Sequence, residues 1–152
     1  MNHSSATAMT TSLEKLTPDH VQSEVRRFWS IFMEKNADEL MAFYSAESSV
    51  FSSLSPRSEP GRLAAARRQR EYFHRNANIL ATTGAVDVVM LGDRAALANY
   101  TFTFHATRIG GATGTVSEED IRHGRATQVF ILDHDGKARI VHEHLSAIEK
   151  SH

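Results

Sequence analysis

A chain of 152 residues is of ordinary single-domain size and long enough to bury a real core. Its 17 basic and 18 acidic residues are interspersed and leave a net charge of −1, which excludes the basic footprint of a nucleic-acid binder and an attraction to anionic membranes. The absence of cysteine removes disulfides, thiolate nucleophiles and thiolate metal sites together.

Residues 1–16 read as a flexible tail, because Met1–Ser12 is rich in Ser, Thr and Ala and has little to bury. The tail has neither the basic start nor the apolar centre of a secretion signal. No apolar run in the chain approaches the roughly 20 residues that a membrane span needs. A soluble cytoplasmic protein is the expectation, with residues 17–150 as one domain. Thr17-Pro18-Asp19 is a helix cap followed by proline at the first helical position, and Val21, Val25, Phe28, Trp29, Phe32 and Met33 recur at helical spacing to about Asn36. Ala37–Ser45 predicts a second, shorter helix and Ser48–Leu54 a short strand. Pro56–Gly61 is turn material. Arg62–Asn76 predicts a third helix with Leu63, Ala66, Tyr72 and Phe73 on one side and a solvated arginine face on the other.

From Ile79 the pattern turns from helical to alternating. Strands are predicted at Ala85–Leu91, Ala95–Arg108, Glu119–Leu132 and Ala138–Ile148, with a turn at Gly92-Asp93-Arg94 and a loop at Gly110–Gly114. Helices first and a four-strand antiparallel meander after them argue an α+β fold, the helices packed on one face of a strongly curved sheet. Asp135-Gly136 is the strongest hairpin signal in the chain. Taken as the central turn residues, they pair His134 with Lys137, Phe130 with Val141 and Gln128 with Glu143. One face then carries Gln128, Phe130, Val141, Glu143 and Leu145, and the other Thr127, Val129, Ile131, Ile140, His142 and His144. A one-residue slip would exchange the two sets.

The order of elements, the G-D-x-A-A turn at Gly92–Ala96 and the closing R-A-T-x-V-F…D-G-K…V-H-x-H-x-S of Arg125–Ser146 resemble the nuclear transport factor 2-like superfamily over roughly Asp19 to Ile148. Within it the pattern is most similar to SnoaL-like proteins and to the association domain of calcium/calmodulin-dependent kinase II, whose last strand carries a similar H-x-H-x-S run. The resemblance implies a cone-shaped fold, a curved and mainly antiparallel sheet wrapping about three N-terminal helices. It also implies a pocket inside the cone and a homodimer through the outer sheet face. Activity varies across the superfamily and has to be argued from the site. In ketosteroid isomerase-like members a carboxylate base works with a tyrosine and a protonated aspartate. Those groups fall at or near Ser52, Phe28 and Gln128 here, so that isomerisation is not expected.

On the long strand, Leu97, Asn99, Thr101, Thr103 and His105 point one way and Ala98, Tyr100, Phe102 and Phe104 the other. Either the aromatic face meets the core, or the polar face lines the pocket and the aromatic face is sealed in a dimer. On the second arrangement Gln128, Glu143, Asn99, Thr101 and His105 make a polar floor, and Phe28, Trp29, Tyr44 and Phe130 supply apolar walls. That is the composition of a site for a small apolar or partly polar organic ligand. Glu143, desolvated by the aromatics, is the candidate general base, assisted by His105, in a cofactor-free dehydration, isomerisation or cyclisation. The competing reading has Glu143 paired with an arginine or exposed at a strand edge. His142-x-His144 invites a metal, but a site needs a third and fourth ligand and no spacing places His105 or His123 there. No metal and no cofactor are expected. Gly110-Gly111-x-x-Gly114 lacks the lysine of a phosphate loop, and Glu118-Glu119-Asp120 marks a solvated loop. The alternative function is a non-catalytic homo-oligomerisation module with a vestigial pocket.

Overall fold

The computed structural model describes residues 13–52, 59–109 and 118–147. Helix α1 (Pro18–Met33) starts where the sequence sets it, with Pro18 in the first turn and the Thr17 hydroxyl accepting the His20 N–H at 3.2 Å. Its apolar stripe buries Val21, Val25, Phe28, Trp29 and Ile31. Helix α2 (Ala37–Met41) is capped by Asn36, whose side chain accepts the Glu39 N–H. It ends earlier than its sequence pattern predicts, because strand β1 (Tyr44–Ser52) takes over: Ile140 N–H donates to the Phe43 carbonyl at 2.7 Å, and Tyr44 pairs with Ile140. Sheet pairing overrides a weak local helix preference here.

Strand β2 (Glu59–Pro60) lies at the sheet edge, where a proline leaves no ladder bond unmade. Helix α3 (Arg62–Arg75) runs directly into β3 (Asn76–Thr83), a strand missing from the sequence reading. Then follow β4 (Asp87–Met90), β5 (Ala95–Arg108), β6 (Glu118–Leu132) and β7 (Ala138–Ala147). The seven strands form one sheet in the order β2-β1-β7-β6-β5-β3, with β4 also on β5. All pairings are antiparallel except β1 with β7. The architecture is the expected α+β one, an unclosed curved sheet around three helices. No helix among the described residues is long and apolar enough to cross a membrane.

The even-numbered face of β5 meets the helices: Ala96, Ala98, Tyr100, Phe102, Phe104 and Ala106 are buried, while Asn99 and Thr101 are exposed. Phe130 and Ile140 are fully buried in the core and contribute roughly 1.5–3 kcal/mol each by burial. Ile140 is therefore on the core face, not beside His142 as the predicted register had it. The hairpin turn explains the difference. It holds three residues, not two, with Gly136 in the left-handed region (φ 73°), so that Leu132 pairs with Ala138 and Phe130 with Ile140. A bulge at Val141 then restores the step, and Gln128 faces Glu143 as predicted.

Leu13–Leu16, assigned to the tail from sequence, lie against the body: Leu13 N–H donates to Gly136 O, Leu16 N–H to Asp93 O, and the Leu16 side chain is buried. Leu63, expected on the apolar side of α3, is exposed. Glu118-Glu119-Asp120 opens β6 and is not a loop; Asp120 accepts from Arg122 Nε and from the Tyr72 hydroxyl. Residues 1–12, residues 56–58 of the predicted turn and the Gly110–Gly114 connection lie outside the described residues.

Candidate functional site

Four strands and two helices converge on one carboxylate. Glu143 of β7 is buried, and its oxygens accept the Tyr44 hydroxyl of β1 at 3.0 and 3.1 Å and the Gln128 Nε2 of β6 at 2.7 Å. Register delivers these contacts, since Glu143 pairs with Val50 of β1 on one side and with Gln128 on the other. Gln128 Oε1 accepts the Tyr100 hydroxyl of β5 at 2.8 Å, and Trp29 Nε1 of α1 donates to the Tyr100 oxygen at 2.9 Å. From α3, Gln69 Nε2 donates to the Tyr44 oxygen at 3.2 Å. Both lines of donors end on Glu143.

Burial pushes the Glu143 carboxyl above its ordinary range, and the hydrogen bonds from Gln128 and Tyr44 pull part of the way back. Burial also raises Tyr44 and Tyr100 well above the ordinary phenol value, reinforced in both by the Glu143 charge. An ionised carboxylate has about four acceptor positions, and two donors leave capacity for a further proton.

The capacity faces a cavity of about 340 Å³ whose walls include Glu143, Tyr44, Phe28, Trp29, Phe32, Phe102 and Phe104. Trp29 and Phe102 stack at 5.0 Å and Phe102 and Phe104 at 5.9 Å, so the aromatic wall is one continuous surface. The α3 wall presents Ala65, Arg68, Gln69, Tyr72 and Arg75, a run at helical spacing. Arg122 of β6 completes the rim.

The predicted residues therefore separate. Phe28, Trp29, Tyr44 and Glu143 line the cavity, and Gln128 reaches it through Glu143. Phe130 is fully buried elsewhere in the core. Asn99, Thr101 and His105 are on the opposite face of the sheet, which corrects the expected polar floor: Asn99 accepts from Thr127 Oγ1 at 2.6 Å, and His105 Nε2 is 3.3 Å from a Glu119 oxygen. The reason is alternation, because the aromatic side of β5 faces inward and its odd positions face out. His105 accordingly stands across the sheet from Glu143. His142 Nδ1 is 2.8 Å from Ser49 Oγ, and His123 Nδ1 is 2.9 Å from Thr103 Oγ1. Among the described residues no group of three or more His, Asp or Glu is placed to hold a metal ion.

Sequence reasoning missed Tyr100, Gln69 and the three rim arginines. Tyr100 stood on the aromatic face of β5 and was assigned to packing. The 65, 68, 69, 72, 75 spacing on α3 was the available signal for Gln69, Arg68 and Arg75, and nothing in the sequence singles out Arg122 of β6.

A curved, unclosed sheet wrapped on three helices is the fold seen in solved nuclear transport factor 2-like proteins. A nuclear transport factor 2-like protein from Salmonella enterica serovar Typhimurium superposes with a TM-score of 0.73 at 20% identity, covering 88% of this chain and 92% of that one. A candidate calcium/calmodulin dependent protein kinase II association domain from Xanthomonas campestris gives 0.72 at 17% identity, over 93% and 95% of the two chains. A candidate scytalone dehydratase from Novosphingobium aromaticivorans gives 0.71 at 11% identity, over 86% and 87%. No protein-family model matches the sequence, and no curated protein matches it. Identities this low establish the fold and leave activity to the site.

Proposed function

We propose that the chain is a SnoaL-like small-molecule protein whose cavity binds an organic ligand and whose Glu143 is the general base of a cofactor-free proton transfer, in an isomerisation, dehydration or cyclisation. The supporting observation is the buried Glu143 carboxylate, held by Tyr44 and Gln128 yet open to the cavity. Removing a proton from a ligand carbon breaks a C–H bond, forms O–H on Glu143 and leaves the electron pair in the ligand's π system or on its leaving group. The step neutralises a buried charge, which favours it in a dry site. Tyr44 and Gln128 keep the carboxylate aimed while the proton arrives.

A carbon acid that needs no other partner tests this. With 5-nitrobenzisoxazole, base removal of the C–H proton opens the ring by N–O cleavage and releases a coloured phenolate. The protein is expected to accelerate this reaction, with the rate rising with pH through the raised Glu143 value and lost in Glu143→Gln. Equal rates for the two proteins would end the general-base reading.

A second reading, homodimerisation through the outer sheet face, is favoured by the partly exposed apolar side chains that the register gathers there. Leu80, His105 and Ile121 are neighbours across three strands, with Leu80 67% and Ile121 38% exposed. Val89, Leu97 and Val129 form a second row. Exposed apolar side chains gathered in this way mark contact surfaces. Sedimentation velocity is expected to show a dimer that Ile121→Lys dissociates; a monomer in the unmodified protein refutes it.

A further inference from the structure

The chain is net negative, yet three guanidinium groups stand around one opening. Arg68 and Arg75 are two turns apart on α3, and Arg122 comes from β6. Glu71 is the acidic residue that shares this rim. Arg122 is held in place: its guanidinium lies over the Tyr72 and Phe104 rings at 5.9 and 6.0 Å, and its Nε bonds Asp120 at 3.1 Å. Both bonds to Asp120 come from Nε, one of the five guanidinium N–H donors.

Polarity runs along the depth of the cavity. Tyr44, Phe28, Trp29 and Glu143 are 0–4% exposed, whereas Arg75 is exposed and Arg68 and Arg122 are half-buried. The interior is apolar apart from the Glu143 network, and the mouth is cationic. A neutral apolar ligand would bury its body and make no use of the positive charge at the mouth. A small polar anion would leave the aromatic wall wet. The complementary molecule has both parts, and about 340 Å³ accommodates roughly two fused rings.

We propose that the cavity takes an amphipathic organic anion, a carboxylic or sulfonic acid whose ring-bearing body lies against Phe28, Trp29, Phe102 and Phe104 while Arg68, Arg75 and Arg122 hold its charged end. This rests on the cavity being a ligand site. Guanidinium groups bind carboxylate and sulfonate oxygens by charge-assisted, often bidentate, hydrogen bonds. The anchored charge also orients the body, so that one end of the ligand always meets Glu143.

Two fluorophores that differ by one charge separate the contributions. 1-Anilinonaphthalene-8-sulfonate carries the anion, and N-phenyl-1-naphthylamine is the same body without it. Trp29 is the chain's only tryptophan and lines the cavity, so energy transfer from it reports a probe bound within Förster range of this site. The sulfonate is expected to bind at least about tenfold more tightly than the neutral probe at low salt, a ratio worth ~1.4 kcal/mol. Arg122→Gln and the double change Arg68→Gln/Arg75→Gln are expected to erase that preference and leave the neutral probe's affinity unchanged. Arg75→Gln alone alters an exposed side chain, so the arginine contribution is measured even if the other variants fold poorly. Equal affinity for the two probes, or equal losses for both in Arg75→Gln, would overturn the anion proposal while the ligand site stands. Absence of energy transfer to either probe would remove the site itself.

Discussion

The indole of Trp29 can only donate a hydrogen bond, and that fixes the sense of every bond between it and Glu143. The Tyr100 oxygen must accept from Trp29, so its own proton goes to Gln128 Oε1, which turns the Gln128 amide to present N–H to the carboxylate. The network thus supports the ionised form while burial opposes it, and burial prevails. With its folded value raised, Glu143 holds its proton more tightly in the folded protein than in the unfolded chain. Its contribution favours folding in full below the ordinary 4.5 and is lost as pH rises through the raised value. Thermal midpoints measured across that window are expected to fall more steeply for the unmodified protein than for Glu143→Gln; parallel curves would show that the carboxyl is not perturbed. Trp29→Phe deletes the donor that sets the polarity and part of a buried ring system, and is expected to cost roughly 2–4 kcal/mol in denaturant titrations. The desolvated Glu143 and Gln128 facing it were legible in the sequence, but the donor line was not, because the chain Trp29–Tyr100–Gln128 joins residues from three elements that no spacing rule connects.

The β6–β7 hairpin shows how an element can be predicted well and still be misread in part. Asp-Gly located the turn and period-two alternation located the arms, but the number of turn residues depends on side-chain bonds that composition does not display. Asp133 accepts the N–H groups of Asp135 at 2.9 Å and Lys137 at 3.0 Å, and its other oxygen takes Arg139 Nε at 3.0 Å. Those bonds favour the three-residue turn, and Gly136 supplies the left-handed residue that it requires. The extra step is removed at Val141, a bulge with no sequence signature, so the register is correct at Glu143 and shifted at Ile140. Although partial burial acts upward on Asp133, the Lys137 N–H, Arg139 and the Asp135 N–H hold its carboxyl below the ordinary range. A lowered value means stabilisation that is present above the ordinary 3.8 and lost as pH falls through the folded value. Asp133→Ala is expected to destabilise by roughly 1–3 kcal/mol at neutral pH and by less in acid; an equal deficit at both would show that the charge is immaterial. On α3 the arginine run is expected to be a solvated face, and Arg67, Arg70 and Arg75 are exposed. Arg68 and Arg75 also share the cavity side with Gln69 and Tyr72, and helical spacing alone does not say which side meets the sheet.

At the scale of the molecule, the order of helices and strands was legible because each element repeats at its own period, while the parallel pairing of β1 with β7 joins residues about 95 apart and leaves no local trace. The two faces of β5 were legible as faces but not as inside and outside. The structure puts the aromatic face in, and a glycine shows how closely. Gly124 of β6 lies opposite Phe102, and a side chain there would run into the Phe102 ring. That ring is stacked between Trp29 and Phe104, so Gly124 lets the aromatic wall settle onto the curved sheet. Gly124→Ala overpacks this contact and is expected to cost roughly 1–3 kcal/mol, with a shift in the emission of Trp29. Thr101→Ala on the opposite face removes an exposed side chain and is expected to stay within about 0.5 kcal/mol, with Trp29 emission unchanged. The pair decides which side of the sheet carries the cavity. If Thr101→Ala perturbed Trp29 and Gly124→Ala did not, the polar face would be the inner one, and Asn99, Thr101 and His105 would return as the floor of the site.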